Sequence, residues 1–329
     1  MGSAAGGRAR YLVYFQYVGT HFNGVAAVRG TQRAVGVQNY LEEAAGRLKC
    51  LAPVRFTISS RTDAGVHALS NTAHVDLERG PGQPAFSPEV LVQALNTHLR
   101  HPAIRVLQAF RVSSDFHARH HATARTYVYR LATGCSQAEE LSVFERHLCW
   151  PLRAHSLDLP AMQEAAQHLL GTHDFSAFQS VGSPSSSPVR TMRRVAVAPS
   201  PSSPLLLPEE SRKLQFWSLE FESQSFLYRQ VSAPSPGLWG GLGLHASVGF
   251  GSQVRRMTAV LVAVGLGTLT PAQVKEILES RDPLGKYQAR VVPAHGLFLK
   301  SVHYGGLEDS GAAGDPGHAQ GLATAPGST

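Results

Sequence analysis

The stretch Ser60-Arg61-Thr62-Asp63-Ala64-Gly65-Val66-His67-Ala68 lies between two runs of strand character. Phe56-Thr57-Ile58-Ser59 before it is β-rich. Asn71-Thr72-Ala73-His74-Val75-Asp76-Leu77 after it alternates apolar and polar residues with the period of a half-buried strand. The nonamer therefore reads as a loop presented by a sheet, a common place for side chains that do chemistry. It offers a carboxylate, Asp63, close to a guanidinium, Arg61, with Gly65 free to take backbone angles that other residues avoid. A plainer reading is a turn in which Asp63 hydrogen-bonds its own backbone, and the nonamer alone does not separate the two.

Working outward, Tyr11-Leu12-Val13-Tyr14-Phe15 has the unbroken apolar character of a core strand. A loop follows at Val18 to Gly24, and then Val37, Tyr40, Leu41, Ala44, Ala45 and Leu48 fall on one face of a helix. Strand, helix and the Phe56 strand together suggest a βαβ-like unit. Ser87 with Pro88 behind it marks the start of a second helix, and Ile104 to Val112 reads as a strand. The second part of Phe116 to Leu131 alternates, with Tyr127 and Tyr129 on one face and Val128 and Arg130 on the other. Tyrosines amid basic residues suit the stacking of RNA bases, but equally the cross-strand packing of an ordinary sheet.

A third helix is expected near Pro160 to Leu170, ending at Gly171, and strands at Arg193 to Val197, Leu214 to Phe221 and Phe298 to Tyr304. A last helix starts at Thr270-Pro271. The tracts Gly182 to Pro188 and Pro199 to Pro208 read as surface loops, and the Gly- and Ala-rich end beyond Tyr304 as a disordered tail. The expected architecture is α+β, two similar halves (10–112 and 113–304) with a largely antiparallel mixed sheet flanked by helices. Residues 1–9 form a disordered or targeting segment and 305–329 the tail.

The chain has 329 residues, 43% hydrophobic and 16% charged, which excludes a disordered polyelectrolyte. Lys and Arg exceed Asp and Glu by 30 to 23, a net +7, and the arginines cluster at Arg190, Arg193, Arg194 and at Arg255, Arg256. That suits a polyanionic partner, though a basic protein without one has the same composition. Cys50, Cys135 and Cys149 are odd in number and far apart, against a disulfide framework. His117, His120 and His121 invite a metal reading, but no acidic or cysteine partner stands at ligand spacing, so no metal is expected. No membrane span is expected either. The first 41 residues hold no acid and four arginines, a composition like a mitochondrial presequence, although Tyr11 already begins a core strand, so the expectation is an intracellular protein of the mitochondrion, with cytoplasm or nucleus as alternatives.

Four segments in order, Arg61-Thr62-Asp63-Ala64-Gly65-Val66-His67-Ala68, Ala122-Thr123-Ala124-Arg125-Thr126-Tyr127-Val128-Tyr129, His173-Asp174-Phe175-Ser176-Ala177-Phe178 and Ala294-His295-Gly296-Leu297-Phe298-Leu299, resemble the TruA family of tRNA pseudouridine synthases. The resemblance runs from about Arg10 to Tyr304. It implies the pseudouridine synthase fold and the isomerisation of a uridine in tRNA, in the anticodon stem-loop region, with no cofactor. It also implies a possible homodimer, as in bacterial members. By the same resemblance Asp63 is the nucleophile, attacking either the base or the sugar anomeric carbon. Arg255 ion-pairs with it, Arg61 helps displace the target base and hold the RNA, and Tyr127 stacks on the uracil. An RNA-binding protein that keeps the fold without the catalysis is the alternative.

The chain departs from the family pattern twice. Val18-Gly19 and Val25-Ala26 stand where an Asp-Gly and a Trp-Gln are usual, in a loop implicated in RNA contacts. That bears on which RNA is bound more than on the chemistry. Residues 232–254, with six glycines, two prolines and no charged side chain, interrupt what would be one helix running from Phe226-Leu227-Tyr228-Arg229-Gln230-Val231 into Arg255. The expectation is that this insert perturbs the site, because both fragments must still meet for Arg255 to reach Asp63.

Overall fold

The computed structural model describes residues 7–28, 35–135, 137–179, 187–201, 213–227, 253–282, 285 and 291–306. β1 (Arg8–Tyr17) carries Tyr11 to Phe15 at its centre, all buried, which is why that run is apolar throughout instead of alternating. α1 (Val37–Gly46) buries Val37, Leu41, Ala44 and Ala45, the face that the helical spacing marked. Then come β2 (Phe56–Ile58), β3 (His67–Glu78), α2 (Pro88–Leu99) and β4 (Ile104–Val112). The hydroxyl of Ser87 caps α2 by accepting from the Val90 amide at 3.4 Å, with Pro88 in the first turn.

The second half runs β5 (Ala122–Cys135), β6 (Trp150–Arg153), α3 (Leu159–Gln167), β7 (Gly171–Asp174), β8 (Val189–Ser200) and β9 (Gln215–Ser223). It closes with α4 (Gln253–Gly265), α5 (Pro271–Ser280) and β10 (Leu297–Tyr304). Thr270 and Gln273 form a reciprocal capping box at the start of α5. Among the described residues no helix is long and apolar enough to cross a membrane.

The strands form one sheet in the order β4-β1-β3-β10-β5-β9-β8-β7, with β2 also on β3 and β6 also on β5. Pairing is antiparallel except for β3 with β10 and β5 with β6. The βαβ-like unit needs correction, because β1 and β2 are not neighbours. β3 lies between them, antiparallel to both, so the unit is a split βαβ. The physical reason is the short connection from β2 to β3, which folds β2 back along one edge of β3 and leaves the other edge to β1.

The order β4-β1-β3-β2 of the first half recurs in the second as β10-β5-β9-β8. β10 is the seam between the halves. It pairs parallel with β3 through Phe298 opposite His67 and Leu299 opposite Ala68, and antiparallel with β5 along most of its length.

Boundaries shift in several places. β1 begins at Arg8, opposite Glu78 of β3, two residues inside the segment assigned to a loose N-terminus. α3 stops at Gln167, and Gly171, with φ of 93°, opens β7. β8 continues through Pro199 to Ser200, so the second low-complexity tract starts inside a strand. Residues 1–6, 182–186 and 202–208, the tail from 307, and 232–252 of the insert lie outside the described residues.

Candidate active site

The nonamer turns between β2 and β3, with the Val66 amide donating to the Asp63 carbonyl at 3.2 Å and Gly65 at φ of 77°. Neighbours hold this turn closely. The Tyr17 hydroxyl and Thr62 Oγ1 share a hydrogen bond of 2.7 Å, Asn71 Nδ2 donates to the Ser60 carbonyl at 2.9 Å, and the Val25 amide to the Thr62 carbonyl at 3.3 Å. Gly24 approaches the Thr62 carbonyl so closely that a Cβ there would lie 2.5 Å from it. The loop from Val18 to Ala26, which departs from the family pattern, thus braces the Asp63 turn.

His67 ties the end of the turn to both halves. Its Nδ1 accepts from the Gly19 amide at 2.9 Å, its Nε2 donates to the His295 carbonyl at 3.1 Å, and its ring stacks on Phe298 at 4.6 Å. One nitrogen accepts and the other donates, which is the pattern of a neutral imidazole, and burial pushes its pKa down to about 4.

None of the described hydrogen bonds ends on the Asp63 carboxylate, so it is not spent on capping its own turn. It faces a cavity of about 460 Å3 instead, lined also by Ser60, Arg61, Arg119, Arg125, Tyr127 and Phe226, among others. Burial raises the Asp63 pKa to about 6, and the Arg255 charge works against that rise. A free aspartate needs no help to stay ionised at neutral pH, whereas this one is held near the edge of ionisation.

Arg255 lies in the first turn of α4, buried, its Nε donating to the Val292 carbonyl at 2.7 Å. Burial lowers its own pKa, and the neighbouring Asp63 and Tyr129 oppose that. It acts on Asp63 through its charge; no ion pair between the two is found among the described residues. With the insert in place Arg255 stands near enough for its charge to act on Asp63, though, among the described residues, without the ion pair expected of it. Leu227 before the insert and Gln253 after it are held together, the Leu227 amide donating to Gln253 Oε1 at 2.9 Å. Phe226 and Leu227 themselves are not helical, so the one long helix of the family pattern does not extend back to them.

Tyr127 and Tyr129 divide between the two roles open to them. Tyr129 is fully buried and donates its hydroxyl to the Pro293 carbonyl at 2.9 Å, which is packing. Tyr127 lines the cavity, edge to face with Phe226 at a centroid distance of 5.1 Å. Arg61 is exposed at the cavity rim.

The histidines near residue 117 pack on one another, with ring centroids of His74 and His117 at 4.8 Å and of His117 and His120 at 4.2 Å. Among the described residues no group of three or more His, Cys, Asp or Glu side chains is arranged so that it could hold a metal ion. Burial, then the Arg10 and His117 charges, take His74 down to about 4, so this ring is neutral at pH 7.

The sequence reading passed over Arg125, Arg119 and Phe226, all of which line the cavity. Arg125 stood inside a quoted motif two residues before Tyr127, but its partners are remote in sequence and nothing local announces them.

A family profile described as tRNA pseudouridine synthase matches residues 13–120, 165–234 and 247–305. The chain is 74% identical to human tRNA pseudouridine synthase-like 1 over 91% of each chain, and 68% identical to the mouse protein of that name over 92% of this chain and 96% of the other. It is 34% identical to tRNA pseudouridine synthase A of Caulobacter sp. strain K31, over 90% of this chain and 98% of that one.

Proposed function

The chain belongs to the tRNA pseudouridine synthase family, a family of isomerases, and from that premise we propose that Asp63 is its nucleophile. The observation that carries the proposal is a carboxylate not engaged by its own turn, directed into a cavity beside the Arg255 charge and near an aromatic wall at Tyr127. The substrate is a uridine of tRNA, in the anticodon stem-loop region. The carboxylate bonds to the flipped-out nucleotide, the N-glycosidic bond opens, and the uracil turns and rejoins the ribose through carbon 5, with the bond to Asp63 breaking to free the carboxylate. The carbon 5 proton leaves and nitrogen 1 takes one up, so the product is an isomer and the sequence balances without an oxidant.

The side chains divide this work. Arg255 keeps Asp63 ionised against its burial. Tyr127 stacks on the extruded base and is placed to help remove the carbon 5 proton. Arg61, exposed at the rim, holds the RNA and helps fill the space the base vacates. Base extrusion costs a few kcal/mol, which stacking and a basic rim offset. Homodimer formation and mitochondrial residence belong to this reading too, the first supported by the family likeness and the second by the acid-free, arginine-bearing first 41 residues.

Release of tritium from tRNA labelled at uridine carbon 5 measures the reaction directly. With Asp63→Ala, release is expected to stop while tRNA binding persists. Undiminished release would remove Asp63 from the chemistry, and an unmodified parent protein that binds tRNA without releasing tritium would establish the non-catalytic alternative.

A further inference from the structure

Arg125 is a buried guanidinium whose described hydrogen bonds all end on neutral oxygens. Its Nε donates to Ser60 Oγ at 2.9 Å, one Nη donates to the Arg119 carbonyl at 2.9 Å, and the other Nη makes a short bond to the Gln224 carbonyl. The first Nη also reaches Ser59, at 3.4 Å to Oγ and 3.5 Å to the carbonyl, where the interaction is weak. Burying a cation without a carboxylate partner is costly, and burial does depress the Arg125 pKa. A residue kept at such a cost needs a reason beyond filling space.

The oxygens it gathers belong to three segments, and each segment is a wall of the cavity. Ser59 and Ser60 precede Asp63 in the turn between β2 and β3. Arg119 lies in the connection between β4 and β5. Gln224 follows β9 and leads in two residues to Phe226, the ring against Tyr127. The first wall comes from the first half of the molecule and the last from the second, so the contacts also cross the seam. A guanidinium can hold three directions at once because its donors are fixed in a planar fork, whereas a lysine ammonium is a single point.

We propose that Arg125 is a positioning residue that locks these three walls in register, so that Asp63 and Tyr127 meet the target uridine from fixed directions. The proposal rests on Asp63 being the nucleophile. Loss of the fork lets the walls relax separately, and a misplacement of about 1 Å is enough to cost on the order of a hundredfold in rate. The loss belongs to turnover, because Arg125 sits below the rim where RNA phosphates are met.

The test measures kcat and KM for tRNA, by tritium release, together with thermal stability, in Arg125→Ala, Arg125→Lys and Asp63→Ala. The expected result is a kcat ten- to a hundredfold lower, roughly, in both Arg125 variants, with KM within about threefold of the parent. Guanidinium ion at millimolar concentration is expected to restore part of the kcat of Arg125→Ala, since the vacated space opens on the cavity, and ammonium ion is not. The proposal is overturned by a kcat within twofold of the parent in Arg125→Lys, or by a loss confined to KM, which would make Arg125 a phosphate contact. If Arg125→Ala does not fold, Arg125→Lys decides alone. Inactivity of Asp63→Ala alongside full activity of the Arg125 variants would reject this role while leaving the nucleophile standing; active Asp63→Ala would reject the nucleophile instead.

Discussion

A carboxylate held at a pKa of about 6 has a signature in pH. If ionised Asp63 is the nucleophile, kcat/KM rises with pH through about 6 and levels above it. Arg255→Met removes the charge that opposes the rise, so its acid limb moves to higher pH; an unmoved limb would mean that the titrating group is not Asp63. Stability runs the other way. The folded pKa lies above the unfolded one, so the native state binds more protons between the ordinary carboxylate value and about 6, and stability falls as pH rises through that window. Asp63→Asn lacks this loss, and its stability relative to the parent should be greater at pH 8 than at pH 4 by denaturant titration. A difference independent of pH would contradict the raised pKa. The identity of Asp63 was legible in the sequence, but its pKa was not, because its burial comes with the fold, which brings residues as remote as Phe226 and Leu297 to line the same cavity.

Elements with local signals were legible and those fixed by distant partners were not. Ser87-Pro88 and Thr270-Pro271 mark helix starts because capping is decided within four residues. The start of β3 at His67 was missed because its first two residues pair with Phe298 and Leu299, more than two hundred positions away. The insert illustrates both cases. Its last residues, Gln253 and Val254, turn out to be the first turn of α4, and Gln253 binds the Leu227 amide while Val254 lines the cavity. The chain carries the same dipeptide at Gln230-Val231, so removing 232–254 places an identical Gln-Val before Arg255. The family match itself omits 235–246. Since Arg255 already acts on Asp63 with the insert present, deletion of 232–254 should leave turnover within about threefold while raising thermal stability, through a shorter loop closure. A tenfold gain in turnover on deletion would show instead that the insert perturbs the site.

At the scale of the molecule, the candidate site is assembled across the seam, Asp63 and Arg61 from the first half, Tyr127, Arg125 and Arg255 from the second. Two similar halves and the α+β class could be anticipated from alternating helices and strands, but the strand order and its repeat could not, because each ladder joins segments with no neighbouring sequence. β10 is the consequence of that order. Belonging to the second half by chain position, it lends one edge to β3 and the other to β5. Leu299 is fully buried at its middle, opposite Ala68 on one side and Tyr127 on the other. Truncating it removes packing from both halves at once, so Leu299→Ala is expected to cost about 2–5 kcal/mol and to lower one shared unfolding transition. Calorimetry of the variant separates this from independent halves, which would show two transitions with only the later-chain one displaced. A single displaced transition would also fit the way the site is built. The walls that aim Asp63 are connections between strands of one sheet, tied together by Arg125, and they hold their places only when both halves are folded.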